Sequence, residues 1–434
     1  MNEVRVSPDG ARRRYALVSF LTWLPAGLMT APLVLLMLDR GLSIVEVGVV
    51  MTVYSLVIAA LELPTGGLAD VVGRRVVLVV SAACTALALT VLAVAGSMVA
   101  FIVAGSVLGV ARALSSGPAE AWFVDTLHAV DGTDADLRPG LSRGHVMEDV
   151  ALSIGVLAGG FIPLAVRAGA VSVPGWLDPL AAPAVLGAVA ALVWLVVVLV
   201  AMPEAPRPAA SMGQVLRGVP VTVAAGVRVA VRDGVLRRLV LVAAVIGMAL
   251  TCVELLVPGH LAALTGSGEV GATAYALVSA IGFAAAALGS AAAPALARRL
   301  SYGTAGRGSV RGAVAGLVIA AAGLAGLAAS VPVGTGGAGA VVLAAVPYLV
   351  FFAGLGAHGV LRAELAHHRV TAGERTTMAS ASSLSGSGGA ALANLTLAPL
   401  AMGLGVGAAW WLVAVVVLAA ATAFARMSVL HLSR

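Results

Sequence analysis

The chain has 434 residues, of which 60% are hydrophobic and only 11% charged, with a mean hydropathy of +1.05. An ordinary soluble domain carries about 25% charged residues, so this composition excludes one and points to a membrane protein. A formal net charge of +6 and a pI near 10.1 would suit a nucleic-acid partner, but the basic residues stand in short clusters between apolar runs, which excludes that partner.

All 26 basic residues are arginine, and with the excess of Ala, Val and Gly this suggests a GC-rich, bacterial genome. Cys84 and Cys252 both fall inside apolar segments, far apart, and read as small buried hydrophobes rather than a disulfide or a metal site. No metal or other cofactor is expected. A G-x-x-x-x-G-K-[ST] loop is absent, and without lysine it could not occur, so ATP hydrolysis is excluded. No nucleophile–base spacing appears either, and the chain is not expected to be an enzyme.

A hydrocarbon core about 30 Å thick needs roughly 20 apolar helical residues. Twelve such spans are predicted, at 15–38, 46–66, 76–95, 98–118, 146–166, 181–202, 239–262, 271–296, 312–331, 338–361, 376–400 and 405–427. Arg12, Arg13 and Arg14 precede the first, which serves as its own insertion signal without cleavage. Arg40 and Arg167 fall on one side of the membrane, Arg112 lies within a span, and every other arginine falls on the opposite side. The positive-inside rule makes that second side cytoplasmic and places both termini there. The expected organisation is a tail (1–14), a six-helix bundle (15–202), a cytoplasmic linker (203–238), a second six-helix bundle (239–427) and a short tail (428–434). The stretch 213–238 reads equally as an amphipathic helix on the inner leaflet or as a solvated linker.

Between the second and third spans stands Glu62-Leu63-Pro64-Thr65-Gly66-Gly67-Leu68-Ala69-Asp70-Val71-Val72-Gly73-Arg74-Arg75. One helix is expected to end near Gly66 and the next to leave near Val76. Asp70, Arg74 and Arg75 then sit on a short loop at the membrane surface, with Gly66 and Gly73 making the turn. The pattern G-x-L-A-D-x-x-G-R-R resembles the loop between helices 2 and 3 of the major facilitator superfamily, and E-x-P-T-G before it is frequent in an efflux-like branch. The resemblance implies an all-α membrane protein whose twelve helices form two pseudo-symmetric bundles, with substrate bound between the halves near the midplane. It also implies a conformational latch on the inner face, carried over here to Asp70, Arg74, Arg75 and Asp125. Val71 departs from the pattern, which has a basic residue there. A faded second copy, Pro294 to Leu300, puts Arg298 where the acid would lie.

A charge inside a span costs about 2.5–3.5 kcal/mol on insertion scales, so each needs a partner or a wet cavity. Three stand out: Glu62, Arg112 and Glu254. Glu62 reads as a brace for the motif or as a titratable carboxylate. Arg112 reads as a cavity-facing cation, which the resemblance links to proton coupling, or as a partner of Glu62 or Glu120. Glu254, followed by Pro258, reads as a cation or proton site or as a satisfied interfacial residue. Gly155-x-x-x-Gly159-Gly160 in the fifth span and the Ser- and Gly-rich run Ser380–Gly389 in the eleventh read as close-packing helix faces. Trp23, Tyr54, Phe283, Phe352, His358 and Asn394 are the candidates for contacts to a bound solute; His358 reads more readily as a packing residue.

By resemblance, the expected function is secondary active transport by alternating access: export of a small amphipathic drug or metabolite in exchange for protons. The expected setting is the bacterial inner membrane, as a monomer in lipid with the solute and protons as partners. An importer of a small metabolite, and a non-transporting sensor or scaffold on the same fold, are the rival readings. In a cysteine-free background, cysteines placed at Arg143 and Arg307 are both expected to react with an impermeant maleimide only after the membrane is opened. Labelling of either one in intact cells would overturn the topology.

Overall fold

The computed structural model of the chain describes residues 7–132, 135–204, 234–301, 307–331, 337–367 and 375–426. Within them lie fourteen α-helices, one 3-10 turn and no strand. The helices are α1 (Pro8–Thr30), α2 (Leu33–Asp39), α3 (Ile44–Val72), α4 (Arg74–Val94), α5 (Met98–Ser115), α6 (Pro118–Asp131), α7 (Arg138–Arg167), α8 (Ala182–Ala201), α9 (Gly234–Thr265), α10 (Gly268–Arg299), α11 (Arg307–Ser330), α12 (Ala338–His367), α13 (Arg375–Leu404) and α14 (Val406–Ala425). Among the described residues eleven helical stretches are long and apolar enough to cross a bilayer, or twelve when the bent pair α1–α2 is taken as one. The bend of 40° falls at Pro32, which lacks the N–H that would continue the helix.

Caps explain several starts. At α3, Ser43 and Glu46 form a capping box: the Ser43 N–H and hydroxyl both donate to Glu46 Oε2 at 2.8 Å, and Ser43 Oγ accepts from the Glu46 N–H at 3.3 Å. Ser97 and Ser267 accept from Ala100 and Val270 in the same way at α5 and α10. The fourth predicted span corresponds to α5, and a further helix, α6, follows it directly. Gly117, at φ +96°, leaves the helical region and Pro118 opens α6; proline fits a first helical position but disfavours helix in the residue before it.

Contacts divide the chain into two units: Met1–Leu42 with Leu56–Val219, and Ser43–Ser55 with Pro220–Arg434. In unit 1, α1 runs against α7 and α8, while α4 packs on α5 and α8. In unit 2 the pairing repeats half a chain later: α9 runs against α13 and α14, while α11 packs on α12 and α14. Counted as spans, the first meets the fifth and sixth as the seventh meets the eleventh and twelfth. Unit 2 adds a strong α10–α12 contact. It also holds the first turns of α3, where Gly48 lies so close to Asn394 that an added Cβ would stand 2.5 Å from the Asn394 carbonyl oxygen. The linker stretch 205–233, including the possible amphipathic helix, lies outside the described residues.

Glycine makes both equivalent crossings possible. A Cβ on Gly155 of α7 would stand 2.8 Å from the Gly27 backbone of α1, and one on Gly159 would run into the Leu28 carbonyl. In unit 2, a Cβ on Gly247 of α9 would meet the Gly386 carbonyl, and one on Gly389 of α13 would meet that of Ala244. The two glycine-rich stretches therefore act as packing faces. Gly155→Ala is expected to cost about 1–3 kcal/mol by overpacking and to lower the apparent melting temperature. Gly388→Ala, where the added Cβ meets open space, is expected to leave it unchanged.

Candidate functional site

One end of unit 1 gathers the motif residues, but not on a loop. Helix α3 runs through Gly66 and Asp70 to Val72, and the turn is a single residue, Gly73. Its φ of +106° favours glycine, and a Cβ there would also meet Glu204 Oε2 at 2.8 Å. Arg74 and Arg75 are the first residues of α4. Asp70 thus lies within a helix, with its side chain outside the described residues. The reason is local: the run after Pro64 offers no helix breaker until Gly73, and Pro64 is accommodated inside α3.

Arg74 forms an ion pair with Asp125 on α6 and donates to the Ala121 carbonyl. Arg75 donates to the Leu199 carbonyl at the end of α8. Asp125 is more than half exposed, whereas the Arg74 side chain is 12% exposed. An exposed pair alone contributes little, about 0–1 kcal/mol, so the backbone bonds carry much of the fixation.

Sequence reasoning missed Glu204, placed in the linker. Its carboxylate accepts from the backbone N–H groups of Arg74 at 2.8 Å and Arg75 at 3.2 Å. It therefore caps α4 from 130 residues away, supplying an anion where the helix dipole is positive. The end of α8 is held in turn by Trp122, whose indole N–H donates to the Pro203 carbonyl at 3.0 Å, and by Arg14, which donates to that of Ala201 at 3.1 Å. The available signal was a carboxylate standing as the first charge after the sixth span, on an otherwise arginine-rich side.

Thr65 of the E-x-P-T-G stretch is buried, and its hydroxyl lies 2.8 Å from the Leu61 carbonyl oxygen and 2.9 Å from that of Ala113. Ser81 donates to the Ala111 carbonyl at 2.6 Å. Hydroxyls from α3 and α4 thus tie both helices to carbonyls in the last turns of α5. In that same turn the Arg112 guanidinium lies 3.6 Å from the centroid of the Trp23 ring. Two residues proposed for different roles are thus brought into one contact. Glu62, one turn before Gly66, is half-buried and, like Tyr54, engaged in interactions of its own.

In unit 2, Glu254 is the accessible residue in the buried run Cys252–Pro258 of α9. No ion pair to it is formed among the described residues. Tyr275 of α10 and Tyr348 of α12 are both buried, with ring centroids 6.4 Å apart. Tyr348 shares a hydrogen bond with Ser279 at 3.2 Å. Phe352 lies 4.7 Å from Tyr348 and 6.3 Å from Phe283. Neither tyrosine nor Ser279 stood out in the sequence, since a lone aromatic on an apolar helix carries no pattern.

Two other candidates are buried in this structure. His358 is fully buried, donates from Nδ1 to the Ala313 carbonyl at 2.9 Å and stands edge-on to Phe424. In this structure it packs between α11, α12 and α14. Asn394 is 3% exposed and its Oδ1 has no hydrogen-bond partner among the described residues.

A family model described as Major Facilitator Superfamily matches residues 15–394. No curated protein matches the sequence. Among solved structures, the nucleoside transporter NupG is similar with a TM-score of 0.73 at 12% identity, over 95% of this chain and 98% of that one. A POT family transporter in complex with 5-aminolevulinic acid gives 0.69 at 12% identity, over 95% and 94%. The human organic anion transporter MFSD10 (TETRAN) gives 0.61 at 18% identity, over 95% and 99%. At such identities the likeness is one of fold alone.

Removing the distant cap tests the motif cluster. Glu204→Ala is expected to cost about 1 kcal/mol, as other lost helix caps do, and to lower the apparent melting temperature. Glu204→Gln, which keeps one acceptor oxygen, is expected to recover most of that loss.

Proposed function

Because the chain belongs to the Major Facilitator Superfamily and is a multi-pass membrane transporter rather than an enzyme, we propose that it exports a small amphipathic compound in exchange for protons. The observation that carries the reading is Glu254: a carboxylate within a transmembrane helix, accessible, and in no ion pair among the described residues. Such a group costs about 2.5–3.5 kcal/mol in hydrocarbon, so it is retained where it exchanges charge with what passes.

Asp70, Arg74, Arg75 and Asp125 supply the conformational latch in this reading, with Glu204 fixing the start of α4 on which both arginines stand. Glu62 and Arg112 are the further coupling candidates; Trp23 is the aromatic partner of Arg112 rather than a separate wall. Tyr54, Phe283, Phe352 and Asn394 remain the proposed contacts for solute, in a setting of Ala, Val, Leu and Gly that suits an apolar or weakly cationic compound. The protein works as a monomer in a bacterial inner membrane, with both termini cytoplasmic.

Expression in an efflux-deficient bacterium is expected to raise tolerance to at least one antibiotic class, and Asp70→Asn or Glu254→Gln to abolish that gain. In inverted vesicles an inside-acid gradient is expected to drive uptake of the same compound. Uptake driven instead into right-side-out vesicles by an outside-acid gradient would make the protein an importer. A phenotype untouched by both substitutions would favour a scaffold.

A further inference from the structure

We infer that Arg362, in the last turns of α12, is a binding site for a phosphate group at the membrane surface, whether of a lipid headgroup or of a soluble phosphate. The inference goes beyond the transport reading and needs the membrane setting alone, not the direction or coupling of transport.

The contacts around Arg362 fix where it stands. One turn before it, His358 donates to the Ala313 carbonyl of α11 and meets the ring of Phe424 near the end of α14. Leu361 lies against α11, where a Cβ on Gly312 would stand 2.6 Å from it, and the Glu364 carboxylate accepts from the Ser309 hydroxyl at 3.1 Å. Arg362 is therefore at the end of unit 2 where α11 begins and α12 and α14 finish. It stands 24 residues after Ala338, about 36 Å along a helix at 1.5 Å per residue, and the hydrocarbon core is about 30 Å thick. Lipid phosphates lie at that level.

Arg362 differs there from the other half-buried arginines. At the same end of unit 2, Arg238 donates to the Arg426 carbonyl at 2.7 Å and Arg311 to that of Leu300 at 3.0 Å. Elsewhere the half-buried arginines meet a carboxylate, a carbonyl or, for Arg112, a ring. Arg362 is half-buried as well, yet its Nε is enclosed without an acceptor, and its guanidinium makes no hydrogen bond, ion pair or ring contact among the described residues. Glu364, two residues on, serves Ser309, and the Nε2 of His358 is likewise without a partner. A guanidinium has five N–H donors and no acceptor, so a half-buried one left unpaired is costly. Its planar fork matches phosphate oxygens in pairs, and a phosphate at this level supplies the missing acceptors.

The test uses the full-length protein, stripped of lipid in dodecyl maltoside, and follows its apparent melting temperature with three additions: dioleoylphosphatidylglycerol, dioleoylglycerol, which lacks the phosphate, and sodium phosphate against sodium chloride of equal ionic strength. A phosphate-bearing probe is expected to raise the melting temperature by binding the folded state, and dioleoylglycerol to leave it unchanged. A rise with the phospholipid alone makes the source a lipid; a rise with inorganic phosphate makes it a soluble phosphate. Arg362→Met is expected to weaken the apparent affinity about tenfold, the loss of one charge-assisted pair, while Arg299→Gln, at an exposed arginine in the last turn of α10, keeps it. Without phosphate, Arg362→Met is expected to melt no lower than the unaltered protein, since it gives up an unpaired charge. No rise in the unaltered protein with either phosphate, or an equal rise with dioleoylglycerol, would overturn the inference without any substitution. A rise that survives in Arg362→Met, an equal loss in Arg299→Gln, or a lower melting temperature of Arg362→Met in the absence of phosphate would overturn it as well.

Discussion

Inside a bilayer an apolar side chain gains nothing by leaving lipid for protein, so the helices must be held by close contact and by hydrogen bonds. Everything else in this chain depends on how that constraint is met. Glycine is its main means: Gly155 against Gly27 in unit 1, and Gly247 against Gly386 in unit 2, bring backbones together where any side chain would intrude. The same solution at the same pair of spans in each unit makes the internal repeat a matter of packing, although the sequence copy of the loop motif has decayed to Pro294–Leu300. Hydroxyls add to what packing supplies. Thr65 and Ser81 take the carbonyls at the end of α5.

The spans were legible because the bilayer imposes one length and one composition on every crossing helix, and the arginine count orders them. Local backbone geometry was less legible. The motif reads as a loop because it is polar and rich in glycine, yet the helix continues to Val72 and the turn shrinks to Gly73; charge marks the membrane edge, not the helix end. The fourth span ends where Gly117 and Pro118 stand, but the helix that Pro118 opens beyond it carries no hydropathy signal of its own. Position along a helix gives depth but not partners. It therefore offered no sign of the contact between Arg112 and Trp23, and left Glu204 in a linker although its carboxylate closes α4.

At the candidate sites the two units differ in kind. The end of unit 1 around Gly73 is a bonded network, in which guanidinium, carboxylate, carbonyl and backbone N–H groups use one another. The face of unit 2 at Glu254 is the opposite, an accessible carboxylate in no ion pair among the described residues. A structural role explains the first arrangement without any solute. The second has no structural benefit that would offset its cost, and this contrast is why the functional weight falls on Glu254.

Arg74 reaches Asp125 and the Ala121 carbonyl with one guanidinium, a planar fork that can serve two acceptors at once. Both acceptors ride on the same short helix, so the clasp between α4 and α6 has a mechanical handle, the path of α6 beyond Gly117. A pull that tilts that helix would draw carboxylate and carbonyl away together.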